Sequence, residues 1–241
     1  MKTVVVIQAR AGSTRLPRKA LLELGGIPML AWAVERTRAA PGVAEVVVAT
    51  TTEPADDETR DLCRSLGFPC FRGSENDVLS RYVGAAREHQ ADVVVRVTSD
   101  CPFIDPALLQ QHLDELIGAA LRVDYVTNMW EPTFPLGLAV EVVPRDVLER
   151  MHRLAELPRD REHVTSFIRY HRDLFRVVSV QHPEDLHTLR WTVDTPDDLR
   201  FARAVVERLP GRGFAWTDVL DLVRAEPSLA AINAHIAQKA V

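Results

Sequence analysis

The sequence predicts an α/β protein whose mostly parallel sheet is flanked by helices. Three short runs, 3–8, 45–50 and 93–98, are apolar at most positions, so both of their faces are expected to be buried. Helical segments alternate with these runs, which is typical of parallel strands joined by helices. With 241 residues, 46% of them hydrophobic, the chain is long enough to bury a sizeable core as one domain.

The helices of the first half have recognisable ends. Pro28 stands at a first-turn position, where its missing N–H matters least. Gly67 ends a second helix, and Asp105 is a capping residue before Pro106. These signals predict helices over 28–39, 56–66, 77–90 and 106–118, with a short strand at 70–71.

The middle of the chain departs from this alternation. Residues 125–135 are rich in aromatic residues and proline and are expected to be irregular. We predict strands over 138–143, 175–180 and 189–193, and helices over 145–157, 160–171, 196–209, 217–224 and 227–238. Residues 1–241 are interpreted as a single domain, in which 125–185 form a small inserted subregion.

The composition excludes several classes of protein. The formal net charge of −5 argues against a sequence-independent grip on nucleic acid. No run approaches the roughly 20 apolar residues of a membrane helix, and the first apolar run is too short for a secretory signal. Cys63, Cys70 and Cys101 lack the spacing of a metal site and are expected to be reduced thiols. We therefore expect a cytoplasmic protein that contacts neither nucleic acid nor membrane.

A basic loop, residues 9–19, directly follows the first predicted strand and holds four cations within ten residues. Ligands of open parallel sheets bind beyond the carboxyl ends of the strands. Gly12 would let a phosphate approach the backbone, and Arg10, Arg15 and Lys19 would supply positive charge. The alternative is a solvated basic loop, which the position after the first strand makes less favoured. Neither a Walker A loop nor a dinucleotide fingerprint is present.

Two aspartates are expected at the same edge of the sheet. Asp100 follows the run 93–98, and Asp194 follows the run 189–193. Mg²⁺ in phosphate-transfer sites is typically held by one or two carboxylates together with phosphate oxygens and waters. The alternatives are a turn residue for Asp100 and a helix cap for Asp194, but Thr195 already supplies a capping hydroxyl. The pattern favours a metal site.

Five segments of the chain match motifs of a known family. They are VIQARAGSTRLP (6–17) followed by Lys19, FRGSENDVL (71–79), TSDCPFIDP (98–106), REHVT (161–165) and WTVDTPDDL (191–199). Together they resemble the sugar cytidylyltransferases, which include the CMP-sialic acid and CMP-ketodeoxyoctonate synthetases. The resemblance is closest to the branch called spore coat polysaccharide biosynthesis protein F, and the first, third and last motifs are specific in combination.

The resemblance implies a nucleotide-diphospho-sugar transferase fold of the GT-A-like type. It implies transfer of CMP from CTP to a sugar in surface polysaccharide biosynthesis, with Mg²⁺ as cofactor and pyrophosphate as second product. Arg15, Lys19 and Asp100 would be catalytic, and Asp100 and Asp194 would bind the metal. The nucleotide contacts that it implies are Ala9, Arg10, Gly12, Ser13, Arg15, Lys19, Arg72 and Asp77.

The acceptor sugar is assigned to the inserted subregion 125–185. Arg161, Glu162 and His163 are expected to bind it, since the carboxylate of an acidic sugar needs a cation. Ala139 stands where relatives often carry an acidic residue, which leaves Glu141 as the remaining carboxylate candidate.

A homodimer and two alternative functions complete the expectations. The dimer is expected to form through 125–185, where aromatic and apolar residues are concentrated: Tyr125, Met129, Trp130, Phe134 and Leu136. One alternative function is a glycosyltransferase that uses a nucleotide sugar, although the chain lacks the D-x-D motif expected of that class at a strand end. The other is a non-catalytic coat or scaffold relative, against which the complete set of Lys19, Asp100 and Asp194 argues.

Overall fold

One sheet of seven strands runs through the molecule, whose computed structural model describes residues 1–119, 122–209 and 211–238. The strands of the chain are β1 (Thr3–Gln8), β2 (Glu23–Leu24), β3 (Ile27–Pro28), β4 (Glu45–Thr51), β5 (Cys70–Gly73), β6 (Val93–Thr98), β7 (Tyr125–Thr127), β8 (Glu141–Pro144) and β9 (Val177–Ser179). β2 and β3 form a separate pair, and the sheet has the order β5-β4-β1-β6-β8-β7-β9. The first four strands in this order are parallel, whereas β8 is antiparallel to both neighbours. The predicted mostly parallel sheet is confirmed.

Helices cover both faces of this sheet. They are α1 (Met29–Arg38), α2 (Asp57–Leu66), α3 (Val78–Glu88), α4 (Pro106–Gly118), α5 (Arg145–Leu154), α6 (Pro158–Glu162), α7 (Ser166–Tyr170), α8 (Pro196–Arg208), α9 (Trp216–Ala225) and α10 (Pro227–Ala231). Val5 and Ile7 of β1 enter the core formed with α1, α4 and α8, whereas Val4 and Val6 enter the core formed with α3 and α5. Burial on both faces explains why the central strands are apolar at successive positions.

The predicted helix ends are confirmed at three positions. Asp105 accepts hydrogen bonds from the first backbone N–H groups of α4, and Pro106 occupies its first turn. Gly67 ends α2 in the left-handed conformation, with φ 68°. Thr195 and Asp198 form a reciprocal capping box at the start of α8.

The segment 189–193 is not a strand of the sheet, so this prediction is wrong. Among the described residues it makes one isolated bridge, and the N–H of Val193 donates to the carbonyl of Asp100 at 2.9 Å. Trp191 and Val193 are fully buried. Their apolar pattern therefore reflects packing in the core, which periodicity alone does not separate from a buried strand.

Other boundaries also differ from the predictions: the helix predicted over 227–238 ends at Ala231, and the helix predicted over 145–157 ends at Leu154. Residues 160–171 form α6 and α7 in place of one helix, because Val164 between them has the left-handed φ of 54°. The strand predicted over 138–143 begins only at Glu141.

The segment 125–185 adds β7, β8 and β9 to the edge of the same sheet. Tyr125 and Phe134 are buried, and Met129, Trp130 and Leu136 are half-buried in the wall of a cavity. The residues expected at a dimer interface are thus buried or half-buried within this chain. Every helix in the described ranges is too short or too polar to cross a membrane.

Candidate functional site

A polar cavity of about 290 Å³ lies at the carboxyl ends of β1 and β6. Parallel strands bring the loops that follow them to one edge of the sheet, where ligands bind. Eight residues of the predicted site line it: Ala9, Arg10, Gly12, Ser13, Arg15, Lys19, Asp100 and Asp194. Arg72 and Asp77 do not line this cavity.

The basic loop is held in place by a buried carboxylate that was not predicted as part of the site. Asp56 is 3% exposed and accepts hydrogen bonds from the backbone N–H of Ala11, at 2.6 Å, and from the hydroxyl of Thr51. Arg18 has the left-handed φ of 58°, and its N–H donates to the carbonyl of Ala11 at 3.2 Å. The loop therefore folds back on itself and brings Lys19 into the cavity.

The ammonium group of Lys19 lies between the two predicted metal ligands. Its Nζ donates to Oδ2 of Asp100 at 2.5 Å and to Oδ1 of Asp194 at 2.7 Å. Burial alone would lower the pKa of Lys19, but the charges and hydrogen bonds of the two carboxylates raise it above its usual value. Burial would likewise raise the pKa of Asp100, but Lys19 and the Thr98 hydroxyl lower it. Lys19 and Asp100 are therefore both charged at neutral pH.

Asp194 is positioned by a second network of buried charges. Its carboxylate lies 3.0 Å from Nη2 of Arg15 and 3.1 Å from Nη2 of Arg190. The guanidinium of Arg190 is itself held by Asp198, which is fully buried and also accepts a hydrogen bond from the backbone N–H of Asp194 at 3.0 Å. Since Thr195 and Asp198 cap α8, the Asp194 side chain is left free to face the cavity.

Two carboxylates that converge on one cation suit a divalent metal ion. Asp100 and Asp194 offer oxygen ligands of the kind that Mg²⁺ prefers. Their charges would repel each other without a cation between them, and the ammonium of Lys19 supplies one in this structure. Within the described ranges, no group of three or more acidic, histidine or cysteine side chains is arranged to hold a metal ion. The residues present fit a metal that takes its other ligands from phosphate and water.

Arg72 and Asp77, two of the predicted nucleotide contacts, make hydrogen bonds and ion pairs within the protein. Arg72 donates to two backbone carbonyls and lies 2.8 Å from Asp57. Asp77 caps α3 by accepting from the N–H of Ser80 at 2.8 Å, and it pairs with Arg161 through Nε at 3.0 Å. Asp77 therefore marks the start of α3.

Arg161 is expected to stabilise the fold, because its guanidinium bonds Asp77 and the carbonyl of His152 at 2.8 Å. Arg161→Ala should lower the free energy of unfolding by about 1–2 kcal/mol at neutral pH, since charged hydrogen bonds at a partly buried site are lost. Urea unfolding at pH 7 measures this, with Arg153→Ala, an exposed arginine of α5, as control.

The pH dependence of the stability difference between wild type and Arg161→Ala tests whether the ion pair with Asp77 is its source. Burial raises the pKa of Asp77, but the hydrogen bonds from Arg161 and from the Ser80 N–H, together with the charge of Arg161, outweigh it, so the pKa of Asp77 is lowered overall. A group whose pKa is lowered on folding stabilises the protein above its unfolded pKa, about 3.9, and loses this effect as the pH falls through the folded value. The stability difference between wild type and Arg161→Ala should therefore shrink below about pH 4. A difference that stays constant down to pH 2 would contradict the assignment.

A second cavity, of about 570 Å³, is lined mainly by the segment 125–185, with Arg96, His187 and Gln238 from outside it. Glu141 and His163, two of the residues predicted to bind the acceptor, line it. Arg161 and Glu162 do not, and Glu162 lies at the surface 3.8 Å from Arg10. Two of the four predicted acceptor residues therefore line this cavity, and the other two lie outside its lining.

Glu141 is bonded within the protein on both of its oxygens. Arg96 donates to one oxygen, and the hydroxyls of Tyr125 and Thr165 donate to the other. Arg96 also donates from Nη2 to the side chain of Gln8 at 3.3 Å. Because Gln8 lines the polar cavity and Arg96 lines the larger one, the two cavities are neighbours.

Several site residues were missed by the analysis of the sequence. Arg190, Arg96 and Arg81 each stand within an otherwise apolar segment, and each proves to be largely buried beside one of the two cavities. A charged side chain inside an apolar run is rarely buried without a partner. That signal would have pointed to all three.

Comparison with known proteins identifies the family of this chain. Residues 4–209 match the family model described as Cytidylyltransferase. The spore coat polysaccharide biosynthesis protein SpsF of Bacillus subtilis (strain 168) is 34% identical over 233 residues, which cover 93% of this chain and 95% of that protein. The structure of a cytidylyltransferase from Leptospira borgpetersenii superposes with a TM-score of 0.93 at 31% identity and covers all of both chains.

A third comparison concerns the fold alone. The structure of CMP:2-keto-3-deoxy-manno-octonic acid synthetase complexed with CTP has a TM-score of 0.68 at 23% identity and covers 87% of this chain and 100% of that one. The match to the family model and to the Leptospira structure places the chain among the nucleotidyltransferases. The chain belongs to the cytidylyltransferase family, and it is a cytidylyltransferase.

Proposed function

We propose that this enzyme transfers CMP from CTP to a hydroxyl of an acidic sugar, with Mg²⁺ as cofactor. The observation that supports the proposal is the convergence of Lys19, Asp100 and Asp194 in the polar cavity, next to a larger cavity that suits a sugar. The sugar would serve surface polysaccharide synthesis in the cytoplasm, as the similarity to SpsF suggests.

The basic loop would hold the triphosphate. Arg10, Arg15 and Lys19 face the cavity with positive charge, and Gly12 lets phosphate approach the backbone. In the reaction, the sugar hydroxyl oxygen forms a bond to the α-phosphorus, the bond from that phosphorus to the β-phosphate oxygen breaks, and the hydroxyl proton passes to solvent. Lys19 and Arg15 would stabilise the charge that develops on pyrophosphate.

Asp100 and Asp194 would hold Mg²⁺ beside the phosphates. When bound, the metal would supply charge neutralisation at the α-phosphate. This chain's own contribution is positional: Arg190 and Asp198 fix the Asp194 carboxylate in place before any ligand binds. Such pre-positioned charges need no rearrangement during the reaction.

The larger cavity would bind the acceptor. Because Arg161 is engaged by Asp77, the cation for a sugar carboxylate would be Arg159 or Arg169, both of which line this cavity. Trp130 and Tyr170 would face the sugar ring, and each lies beneath an arginine guanidinium. These two arginines thus replace Arg161 in the proposal.

A homodimer through the segment 125–185 remains part of the proposal. The side chains first expected at the interface are internal, but four other large apolar side chains of this segment are about half exposed: Leu154, Leu157, Tyr170 and Leu174. Exposed apolar surface of this kind marks protein contacts.

The proposal predicts that CTP stabilises the protein more than ATP, GTP or UTP does. A ligand that binds only the folded state raises its stability by about 2.7 kcal/mol at 100 times its dissociation constant. Thermal melting with each of the four nucleotides in Mg²⁺ measures this, and pyrophosphate release with an acidic sugar then tests turnover. Stabilisation by UTP alone would replace the proposal with a uridylyltransferase or a glycosyltransferase.

A further inference from the structure

The segment 232–238, which follows α10 and is called here the distal segment, packs against Arg190 and the start of α8. Asn233 in this segment is 2% exposed. Its Nδ2 donates to the backbone carbonyl of Arg190 and to Oδ1 of Asp198, each at 2.9 Å. The family model matches residues 4–209, so the distal segment lies outside the matched region.

Gln238 in the distal segment contacts the guanidinium of Arg190 directly. Its Oε1 accepts a hydrogen bond from Nη1 of Arg190 at 2.7 Å. The Arg190 side chain is 5% exposed, and its Nε and Nη2 donate to the two oxygens of Asp198 at 2.8 and 3.0 Å. A guanidinium is a rigid, planar fork of donors. Its orientation is therefore fixed from two sides, by Asp198 on one and by the distal segment on the other.

The position of Arg190 determines how the carboxylate of Asp194 is oriented. Nη2 of Arg190 donates to Oδ2 of Asp194 at 3.1 Å, and Nη2 of Arg15 lies 3.0 Å from the same oxygen. The two arginines thus share one oxygen of this carboxylate. The other oxygen, Oδ1, accepts from Nζ of Lys19 at 2.7 Å. Oδ1 is therefore the oxygen that Asp194 presents to a cation in the polar cavity.

We propose that Gln238 is a positioning residue of the metal site: it holds Arg190 so that Asp194 presents Oδ1 to the metal. This inference rests on the proposed function, which supplies the Mg²⁺. Gln238 also lines the larger cavity, so one side chain connects the wall of that cavity with the carboxylate in the polar cavity. Loss of a residue that orients a metal ligand typically weakens metal binding by about 10- to 100-fold. Because Gln238 acts through Arg190, we expect an effect of about 10-fold.

The test is a titration of the full chain with Mg²⁺ alone, in which the melting temperatures of wild type and Q238M are followed. Methionine is about as long as glutamine, but its thioether is a weak acceptor. The Mg²⁺ concentration that gives half of the full stabilisation should rise about 10-fold in Q238M. The melting temperature without Mg²⁺ should change little, because Gln238 is exposed. This measurement depends on metal binding and requires no turnover.

Two further variants separate the hydrogen bond from other effects of the substitution. Q238E keeps an oxygen acceptor for Arg190 at the same position, so its response to Mg²⁺ should be at least as strong as that of wild type. Q111M makes the same change as Q238M at an exposed glutamine of α4 that lines neither cavity. The response of Q111M should equal that of wild type.

Three outcomes overturn the inference. An unchanged Mg²⁺ concentration at half stabilisation in Q238M would show that Arg190 is held in place without Gln238. A melting temperature lowered equally with and without Mg²⁺ would show that Gln238 only fastens the distal segment to the fold. A weakened response in Q238E would show that the acceptor oxygen is not what matters. The absence of any Mg²⁺ response in wild type would refute the metal site of the proposed function itself, and that result is distinct from a wild-type response that does not depend on Gln238.

Discussion

Asp100→Asn and Asp194→Asn are each expected to lower turnover by roughly 10²-fold or more, the size of effect seen when one charge-stabilising group is removed. Both carboxylates contact Lys19 in the polar cavity and are proposed to share one Mg²⁺. Residues that act as a unit have non-additive effects, so the double variant should be little worse than the poorer single variant. Pyrophosphate release with CTP, Mg²⁺ and an acidic sugar measures all three.

The stability of these variants without metal tests the ion pairs separately. Asp194 contacts Lys19, Arg15 and Arg190, so Asp194→Asn should lower the melting temperature, and Asp100→Asn should do the same because it leaves Lys19 with one partner. Simple repulsion between the two carboxylates would have predicted the reverse.

The control for both measurements is Asp197→Asn. Asp197 is a partly exposed carboxylate in the first turn of α8, three residues beyond Asp194 in the sequence. Asp197 pairs with Arg200 at 2.6 Å on the surface, and pairs of this kind contribute about 0–1 kcal/mol. It should keep full turnover. Full turnover of Asp194→Asn would remove Asp194 from the site, and multiplied losses in the double variant would show that the two carboxylates act independently.

Lys19→Met is expected to lower turnover by roughly 10²- to 10³-fold, because it removes a positive charge next to the leaving pyrophosphate. It also leaves Asp100 and Asp194 without the ammonium that separates them in this structure. The free energy of unfolding should therefore fall when no metal is present. Mg²⁺ should raise the melting temperature of the variant more than that of wild type, because no ammonium competes for the two carboxylates.

Melting curves of wild type and Lys19→Met, each with and without Mg²⁺, measure this competition. Lys2→Met is the matched control: it removes the same charge from a surface pair with Glu45 at 2.8 Å, away from the cavity. Its response to Mg²⁺ should equal that of wild type. An equal Mg²⁺ shift in Lys19→Met would show that the metal does not bind at the position of the ammonium.

The sequence alone determined the architecture and much of the polar cavity. Strands such as 3–8 and 93–98 are apolar on both faces, and that pattern is typical of parallel strands that helices cover on both sides. The basic loop and Asp100 directly follow these strands. Their positions at the carboxyl edge therefore came from local order along the chain, and eight of the predicted residues do line one cavity.

Only the tertiary structure decided which charged groups meet. Lys19 and Asp194 are separated by 175 residues, and Asp77 and Arg161 by 84, yet each pair is in contact. Charged residues have no periodic pattern that records a distant partner. For this reason the sequence could assign Arg161 to the acceptor and Asp77 to the nucleotide, whereas the fold pairs them with each other.

Burial was the second property that only the fold revealed. The run 189–193 was predicted as a strand because core packing and sheet pairing both select apolar residues, and only the backbone hydrogen bonds separate the two. The burial of Arg81 could not be predicted from the sequence either. Its place in the sequence marks it as a helix residue, but its burial beside the cavity depends on how α3 packs against three strands.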